Sequence, residues 1–253
     1  MRKFILYLSL FLFFLILFGE LSAQQYANRV LAFYTTTVER DHVQFARDAL
    51  QFYARLAGQK HFQFDSTTDW SRLNDETLKN YQVVMWINEF PHTEEERRSF
   101  ERYMERGGKW IGFHVSAYND NETNWPWLVD FLGGAVFYTN NWPPLSAHLV
   151  VDDPKHPVTR GIPPAYQSPI NEWYQWKPSP RLNRQVRVLI SLDSSNFPLG
   201  KKDIIYSGDM PVVWTNTKYK MIYLNMGHGD LVMSSSIQNR VFSNALEWLL
   251  GFK

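Results

Sequence analysis

The sequence TEEERRSFERYMERGGKWIGFH, residues 93–114, decides the fold class of this chain. Thr93 and Glu96 have the spacing of a capping box, in which each side chain satisfies a backbone amide of the other residue, so a helix is predicted over residues 94–106. Two glycines end that helix, and the apolar residues 110–113 resume a strand. The stretch therefore reads as the second half of a β-α-β unit.

Similar units are predicted before this stretch. Residues 30–34 (VLAFY) and 83–87 (VVMWI) are typical of buried strands, because they are apolar, β-branched or aromatic throughout. Apolar residues recur every three or four positions over residues 43–57, which predicts a helix that ends at Gly58. Repeated β-α units with right-handed crossovers imply an α/β fold with a mainly parallel central sheet and helices on both faces.

The remaining elements are shorter. Strands are predicted at residues 62–64, 149–151, 186–192, 211–214 and 221–224, short helices at 74–80 and 125–132, and a closing helix over 237–249. Residues 140–180 are rich in Pro, Trp, Asn and Tyr, a composition that favours irregular loops. Loops of this length inside a compact domain usually form a binding or active site.

The N-terminus is typical of an exported protein. A basic start precedes an apolar run over residues 4–18, which is shorter than the roughly 20 residues that a membrane-spanning helix needs. Cleavage is expected after Ala23, so residues 1–23 form a signal peptide and one domain covers residues 29–252. The mature protein is expected to be periplasmic or secreted and free of the membrane; an uncleaved anchor is the alternative.

Composition excludes several classes of function. Lys and Arg total 26 against 25 Asp and Glu, so no large basic face is implied and nucleic acid is not expected as a partner. The chain has no cysteine, and therefore no thiol nucleophile and no disulfide. Aromatic residues make up 16% of the chain, including 10 Trp, and can fill a core, stack on sugar rings or form the subunit interface of a homo-oligomer.

Two histidines follow predicted strands. His114 comes directly after residues 110–113, at a bend of the kind that exposes one side chain in nucleophile-elbow folds. His228 lies between two glycines and near a carboxylate, Asp230. Because the carboxyl ends of parallel strands meet at one edge, the two histidines can converge. The alternatives are a histidine satisfied by a backbone carbonyl and an ordinary glycine-rich turn.

Glu172 is the third candidate, since it lies among large aromatic residues in NEWYQW, residues 171–176. Burial there would raise its pKa towards a value useful for proton transfer, although a surface-loop glutamate is an equal alternative. His114, Glu172 and His228 together form a plausible ligand set for Zn²⁺ or another divalent ion. Four further polar residues are better explained as turn formers: His148, Asp152, Asp153 and His156.

Six motifs, in order, resemble the trehalose-utilisation (ThuA-like) family and together span nearly the whole mature chain. They are GGKWIGFH (107–114), WPW (125–127) with GG (133–134), HPVT (156–159), NEWY (171–174), PVVW (211–214) and GH (227–228). The resemblance implies a single domain similar to class I glutamine amidotransferases, a flavodoxin-like fold, and a role in carbohydrate utilisation. In that fold a cysteine occupies the elbow, and a later histidine is followed by an acid.

In this chain His114 stands at the elbow, while His228 and Asp230 resemble the histidine and acid. Without the thiol no acyl-enzyme can form, so glutamine hydrolysis is excluded. Two departures from the family pattern bear on any metal site taken over from relatives: residues 140–143 read NNWP where many relatives carry His-Pro, and Asn171 replaces the usual Asp.

The leading functional hypothesis is an enzyme performing acid-base chemistry, of isomerase or lyase type, on a sugar or keto-glycoside. Its predicted catalytic residues are His114, Glu172, His228 and Asp230, and its predicted substrate-binding residues are Tyr34, Trp125, Trp127, Trp142 and Tyr174. One alternative is a non-catalytic sugar-binding protein with a cleft lined by Trp125, Trp127, Trp142, Trp173 and Trp176. A structural remnant of the fold is the other alternative.

Overall fold

Strands and helices alternate through the first half of the chain and give way to strands alone in much of the second. The computed structural model describes residues 28–120 and 123–252. The strands are β1 (Arg29–Tyr34), β2 (Gln63–Thr67), β3 (Val83–Ile87), β4 (Lys109–Phe113), β5 (Phe137–Asn140), β6 (His148–Val151), β7 (Ala165–Gln167), β8 (Tyr174–Trp176), β9 (Val186–Leu192), β10 (Pro211–Asn216) and β11 (Lys220–Leu224). The helices are α1 (Arg40–Lys60), α2 (Asp75–Leu78), α3 (Glu94–Glu105), α4 (Pro126–Phe131) and α5 (Ser236–Leu250).

The central sheet has nine strands in the order β2-β1-β3-β4-β11-β10-β9-β6-β7. Strands β2, β1, β3, β4 and β11 pair in parallel, whereas every pairing from β11 outwards to β7 is antiparallel. Because antiparallel neighbours alternate in direction, β9 and β7 again point the same way as the parallel five. The predicted α/β fold with a mostly parallel sheet is confirmed, and the antiparallel extension was not predicted.

Side chains on the central strands alternate between two hydrophobic clusters, as the two-residue period of a strand requires. On β3, Val83, Met85 and Ile87 join buried residues of α1 and α5, whereas Val84 and Trp86 join buried residues of α3 and α4. The two clusters therefore lie on opposite faces of β3, and helices on both faces of the whole sheet stay a prediction.

The ends of the helices test the local predictions. Helix α3 begins where predicted, because Thr93 accepts from the Glu96 amide while the Glu96 carboxylate accepts from the Thr93 amide. Helix α1 continues to Lys60, so the predicted end at Gly58 is wrong. It ends instead at His61, whose left-handed backbone, with φ of 56°, lets its amide reach a carbonyl of the last turn.

Residues 140–180 contain more regular structure than predicted. Strands β6 and β7 extend the central sheet, while β5 and β8 form a separate two-stranded sheet. The predicted signal peptide, residues 1–23, lies outside the described residues. Among the helices of the described ranges, none is both long and apolar enough to cross a membrane.

Candidate functional site

The candidate site lies at the carboxyl edge of the parallel strands, called the rim below. His114 follows β4, Asn88 follows β3, and the turn that contains His228 follows β11. Helix α1, which begins after β1, brings His42 in its first turn to the same place, since the His42 ring lies 5.3 Å from the His114 ring. The rim is where open parallel sheets usually place their ligands.

The backbone bends sharply at His114. Its φ of 49° is in the left-handed region, which few non-glycine residues adopt, and a short 3-10 helix, His114–Ala117, follows. The predicted bend is therefore present, but the expected exposure of the side chain is wrong, because His114 is fully buried. Gly227 makes this packing feasible, since a Cβ there would lie 2.5 Å from that of His114.

The His114 ring is held from both sides. Its Nδ1–H donates to the main-chain oxygen of Asn225 at 2.8 Å, which leaves the lone pair on Nε2, 3.1 Å from Oε2 of Glu172. The Tyr174 ring packs on its face, with ring centres 4.2 Å apart. Asn225 also receives the Tyr174 amide on its side-chain oxygen at 3.1 Å, so one residue positions both rings.

Glu172 lies between two histidines. Its Oε2 is 3.1 Å from Nε2 of His114 and 3.4 Å from Nδ1 of His228, and Asn140 donates to its Oε1 at 2.5 Å. Burial alone would raise the pKa of Glu172, but the two histidines outweigh burial and hold the pKa at about 2. The expected upward shift is therefore wrong, and this side chain is a carboxylate at neutral pH.

His228 is buried beside three carboxylates. Besides Glu172, Oδ2 of Asp41 and Oε1 of Glu39 lie 3.5 and 3.7 Å from its Nε2. Burial by itself would lower the pKa of His228, but Glu172 and these two acids raise it. Both ring nitrogens lack a hydrogen bond of good geometry with any described residue. Asp230, the predicted acid partner, is exposed and makes no ion pair with His228, so its catalytic role stays a prediction.

His42 was not predicted from the sequence. Its ring lies 4.8 Å from that of His228, and its Nε2 is buried without a hydrogen-bond partner among the described residues. Burial, followed by the nearby His114 and His228, lowers the pKa of His42 to about 3. The only sequence signal was a polar segment, Glu39 to His42, at the start of a helix that follows a strand.

Four side chains therefore converge: His42, His114, Glu172 and His228, hereafter the histidine cluster. One potential ligand atom from each lies within 4.8 Å of the others. Three imidazoles and one carboxylate are donors that Zn²⁺ and similar divalent ions prefer. The predicted convergence of His114, Glu172 and His228 is observed, and His42 completes the set.

A small open cavity, the mouth, leads to this cluster. It has a volume of about 210 Å³, and its lining includes Asp41, Ile170, His228, Asp230 and Leu231. Ile170 and Leu231 are 44% and 46% exposed, so the mouth presents apolar as well as acidic surface. Its size suits a small molecule or one ring of a larger one.

The predicted substrate-binding residues divide into two groups. Trp142 and Tyr174 adjoin the histidine cluster, with ring centres 6.1 Å from His228 and 4.2 Å from His114. Of the others, Trp125 is buried and Trp127 packs on Phe131, whereas Tyr34 is half-buried at the carboxyl end of β1. Their roles stay predictions.

Two further tryptophans of the alternative cleft, Trp173 and Trp176, are also buried, at 0% and 3% exposure. The looser polar set lies apart from the cluster as well. Asp152 pairs with Arg181, and Asp153 with Arg187.

Comparison with known proteins finds one matching protein family and several similar solved structures. Residues 29–249 match the family model of ThuA, described as trehalose utilisation. The solved structure of a candidate ThuA-like protein from Bacteroides uniformis ATCC 8492 superimposes with a TM-score of 0.87 at 49% identity, covering 90% of this chain and 93% of that one. No match was found among curated proteins.

More distant structures are similar in fold alone. A second candidate ThuA-like protein, from Parabacteroides merdae ATCC 43184, gives a TM-score of 0.63 at 17% identity, covering 89% of this chain and 91% of that one. A candidate GMP synthase component from Thermoplasma acidophilum gives 0.50 at 11% identity, covering 88% of this chain and 95% of that one. The latter supports the predicted similarity to amidotransferase folds.

Proposed function

Since the chain belongs to the trehalose utilisation (ThuA) family, we propose that it is an exported enzyme that performs isomerase- or lyase-type chemistry on a sugar or keto-glycoside. The histidine cluster would hold a divalent metal ion, with Zn²⁺ as the first candidate, beside the reacting sugar. The observation that carries this proposal is the convergence of four ligand groups within 4.8 Å.

The donor set fits such an ion. Bonds of about 2.0–2.1 Å in a tetrahedral zinc site place neighbouring ligand atoms about 3.3 Å apart. The two distances from Oε2 of Glu172, 3.1 Å to His114 and 3.4 Å to His228, are close to that spacing. All four ligand atoms lie within 4.8 Å of one another, so the wider separations would have to shorten when an ion binds.

The tautomer of His114 supports the same conclusion. Its Nδ1–H donates to Asn225, so a lone pair on Nε2 faces the Glu172 carboxylate. This contact is favourable only when a positive charge lies near both atoms, either a bound metal ion or the second ring proton of a charged imidazole. Metal-binding histidines characteristically donate their other ring nitrogen to a carbonyl or carboxylate, as His114 does.

The low pKa of Glu172, about 2, makes it a poor proton carrier at neutral pH and a suitable anionic ligand. A bound ion would polarise a sugar carbonyl or hydroxyl. Proton transfer then belongs to groups at the mouth, and Asp230, exposed and near His228, is the first candidate. No cysteine exists to form an acyl-enzyme, so the chain is not a glutamine amidotransferase.

A second candidate is non-catalytic sugar binding, favoured by the half-buried Trp142 beside His228. It has less support than the enzyme, because three of the five tryptophans of the predicted cleft are buried in the core: Trp125, Trp173 and Trp176. Homo-oligomer formation stays a prediction under either function.

The test begins with protein purified in chelator-free buffer. Elemental analysis should find about one divalent ion per chain, and a chelator should remove it with a fall in the melting temperature. The metal-loaded protein is then incubated with keto-sugars and disaccharides, and products are followed by NMR. Sugar binding without turnover would favour the second candidate, and absence of both metal and sugar binding would refute the proposal.

Export is tested separately, because residues 1–23 lie outside the described residues. Cell fractionation and N-terminal sequencing should find a periplasmic or secreted chain that begins after Ala23. A cytoplasmic chain that retains its first residues would contradict the proposed export and leave the chemistry untouched.

A further inference from the structure

The mouth carries negative charge. Asp41 and Asp230 line it, and Glu39 lies 3.7 Å from the same His228 nitrogen that Asp41 approaches. Within the described ranges, no Lys or Arg lines the cavity. Asp230 makes no hydrogen bond or ion pair with another described residue, so both of its oxygens can accept from a ligand.

A buried, unpartnered group faces the same cavity. His228 lines the mouth although only 1% of its surface is exposed, and neither of its ring nitrogens has a hydrogen-bond partner among the described residues. Buried polar atoms are usually satisfied, so this histidine indicates a ligand or ion in the working protein. Its Nδ1 faces Glu172 and the ion proposed above, whereas its Nε2 faces Asp41 and Glu39 and is left for a ligand in the mouth.

Apolar side chains border the carboxylates. Ile170 and Leu231 are exposed on the lining, where Pro144 also contributes, and Val38, next to Glu39 in sequence, is 42% exposed. A surface that combines acceptors with apolar contacts matches a pyranose ring, which presents hydroxyl donors at its edge and C–H groups on its face.

We infer that the mouth binds one ring of an uncharged sugar and rejects sugars that carry a carboxylate or phosphate. Asp41 and Asp230 accept from ring hydroxyls, while Ile170 and Leu231 contact the C–H face. An anionic substituent would approach Glu39, Asp41 and Asp230. A divalent ion in the histidine cluster does not offset these three carboxylates and Glu172 together, so the surroundings stay net negative and the affinity for an anion falls on the order of tenfold. This inference rests on the proposed function, because it names the substrate class of that same site.

A matched set of ligands tests the charge rule directly. D-glucose, D-glucuronate and D-glucose 6-phosphate share one ring and differ in charge. We expect the Kd of metal-loaded protein for each of the two anionic sugars to be at least about tenfold higher than for glucose, by calorimetry or ligand-detected NMR. In the Asp230→Asn variant, the ratio of the Kd for an anionic sugar to the Kd for glucose should fall to about threefold. High salt should lower the same ratio in the wild type.

The control is Glu76→Gln, since Glu76 lies on α2, pairs with Lys79 and contacts no residue of the mouth. The Glu76→Gln variant should have the same ratio of Kd values for anionic and neutral sugars as the wild type. Equal binding of neutral and anionic sugars would overturn the inference while the proposed function stands. Binding of glucosamine without binding of glucose would also overturn it, because the mouth would then be a cation site. A protein that binds metal but none of these sugars would refute the sugar-acting function as well.

Discussion

Two groups of buried rings in this molecule are built in different ways. The tryptophan cluster, Trp86, Trp110, Trp125 and the partly buried Trp127, comes from one short part of the chain and packs edge to face, tilted or stacked at 5.4–6.3 Å. The histidine cluster gathers residues from positions 42 to 228 and contains no apolar side chain. The comparison teaches that ring content alone does not indicate a binding site; convergence of ionisable groups does.

The two clusters also differ in what burial contributes. Each buried Trp removes about 150–250 Å² of mostly apolar surface from water, which stabilises the fold. Burying imidazoles and a carboxylate costs free energy unless a proton or a cation balances them. Substitutions in the first cluster should therefore change stability, and substitutions in the second should change ligand binding.

The largest effect is expected for Trp110→Ala, because Trp110 is fully buried between Trp86 and Phe131. The cavity should lower the free energy of unfolding by about 3–5 kcal/mol, measured by urea denaturation. Metal content per folded molecule should stay unchanged. Trp110→Phe, which keeps part of the ring volume, should cost less; a loss below about 1 kcal/mol for the alanine variant would contradict the structural role of the cluster.

A pair of histidine variants tests whether the histidine cluster binds metal. His42→Ala removes one of four ligand groups and should weaken metal affinity by at least about 100-fold, since even outer partners of ligands contribute 10–100-fold. His156→Ala is the matched control, because His156 is also buried but packs on Trp248, outside the cluster. Competition titration with a chromogenic chelator measures both. Equal metal affinities in the two variants would show that His42 is not a metal ligand.

His156 predicts a pH dependence of stability. Burial, followed by the positive charge of Arg187, lowers its pKa to about 4 in the folded protein, against about 6.5 when unfolded. The neutral ring therefore favours folding fully above pH 6.5, and this contribution is lost as pH falls from 6.5 to about 4. We expect a loss of about 1–3 kcal/mol across that window, because the unfolded chain takes up the proton first.

The measurement compares wild type with His156→Gln by denaturation at several pH values. The difference between the two unfolding free energies should decrease as pH falls, whereas the titration of the other histidines cancels in the difference. A difference independent of pH would show that His156 titrates normally in the folded chain.

The smallest effect separates two tryptophans that the sequence could not distinguish. Trp142→Ala, beside His228, should raise the Kd for a sugar by about three- to tenfold with little change in stability. Trp127→Ala should lower stability and leave the Kd for a sugar nearly unchanged, because that ring stacks on Phe131 at 5.0 Å. The melting temperature and the sugar Kd of both variants are measured by thermal shift and titration. A raised Kd in Trp127→Ala but not in Trp142→Ala would assign the sugar contact to Trp127.

Much of the fold followed from local patterns. The capping box set the start of α3, and apolar runs located β3 and β9, because these signals depend only on neighbouring residues. Strands β5, β7 and β8 were not predicted, since they are three or four residues long and lack the consecutive apolar residues that located the equally short β6. Strand direction beyond β11 is also set by long-range pairing.

The site was predictable to a similar degree. His114 and His228 follow strands of one sheet, which placed them together, whereas His42 reaches them from a helix whose tilt no local pattern encodes. The direction of the Glu172 pKa shift could not be predicted, because it depends on two histidines at 3.1 and 3.4 Å. Distances of that kind arise only from the complete fold.

The span of the histidine cluster along the chain has a consequence for folding. His42 and His228 are 186 residues apart, so an ion bound to both would act as a cross-link that closes most of the polypeptide into a loop. His114 and His228 follow the paired strands β4 and β11, so the ion would have to be released before these parts of the chain can separate. The metal-loaded protein should then unfold more slowly and resist proteases longer than the metal-free protein.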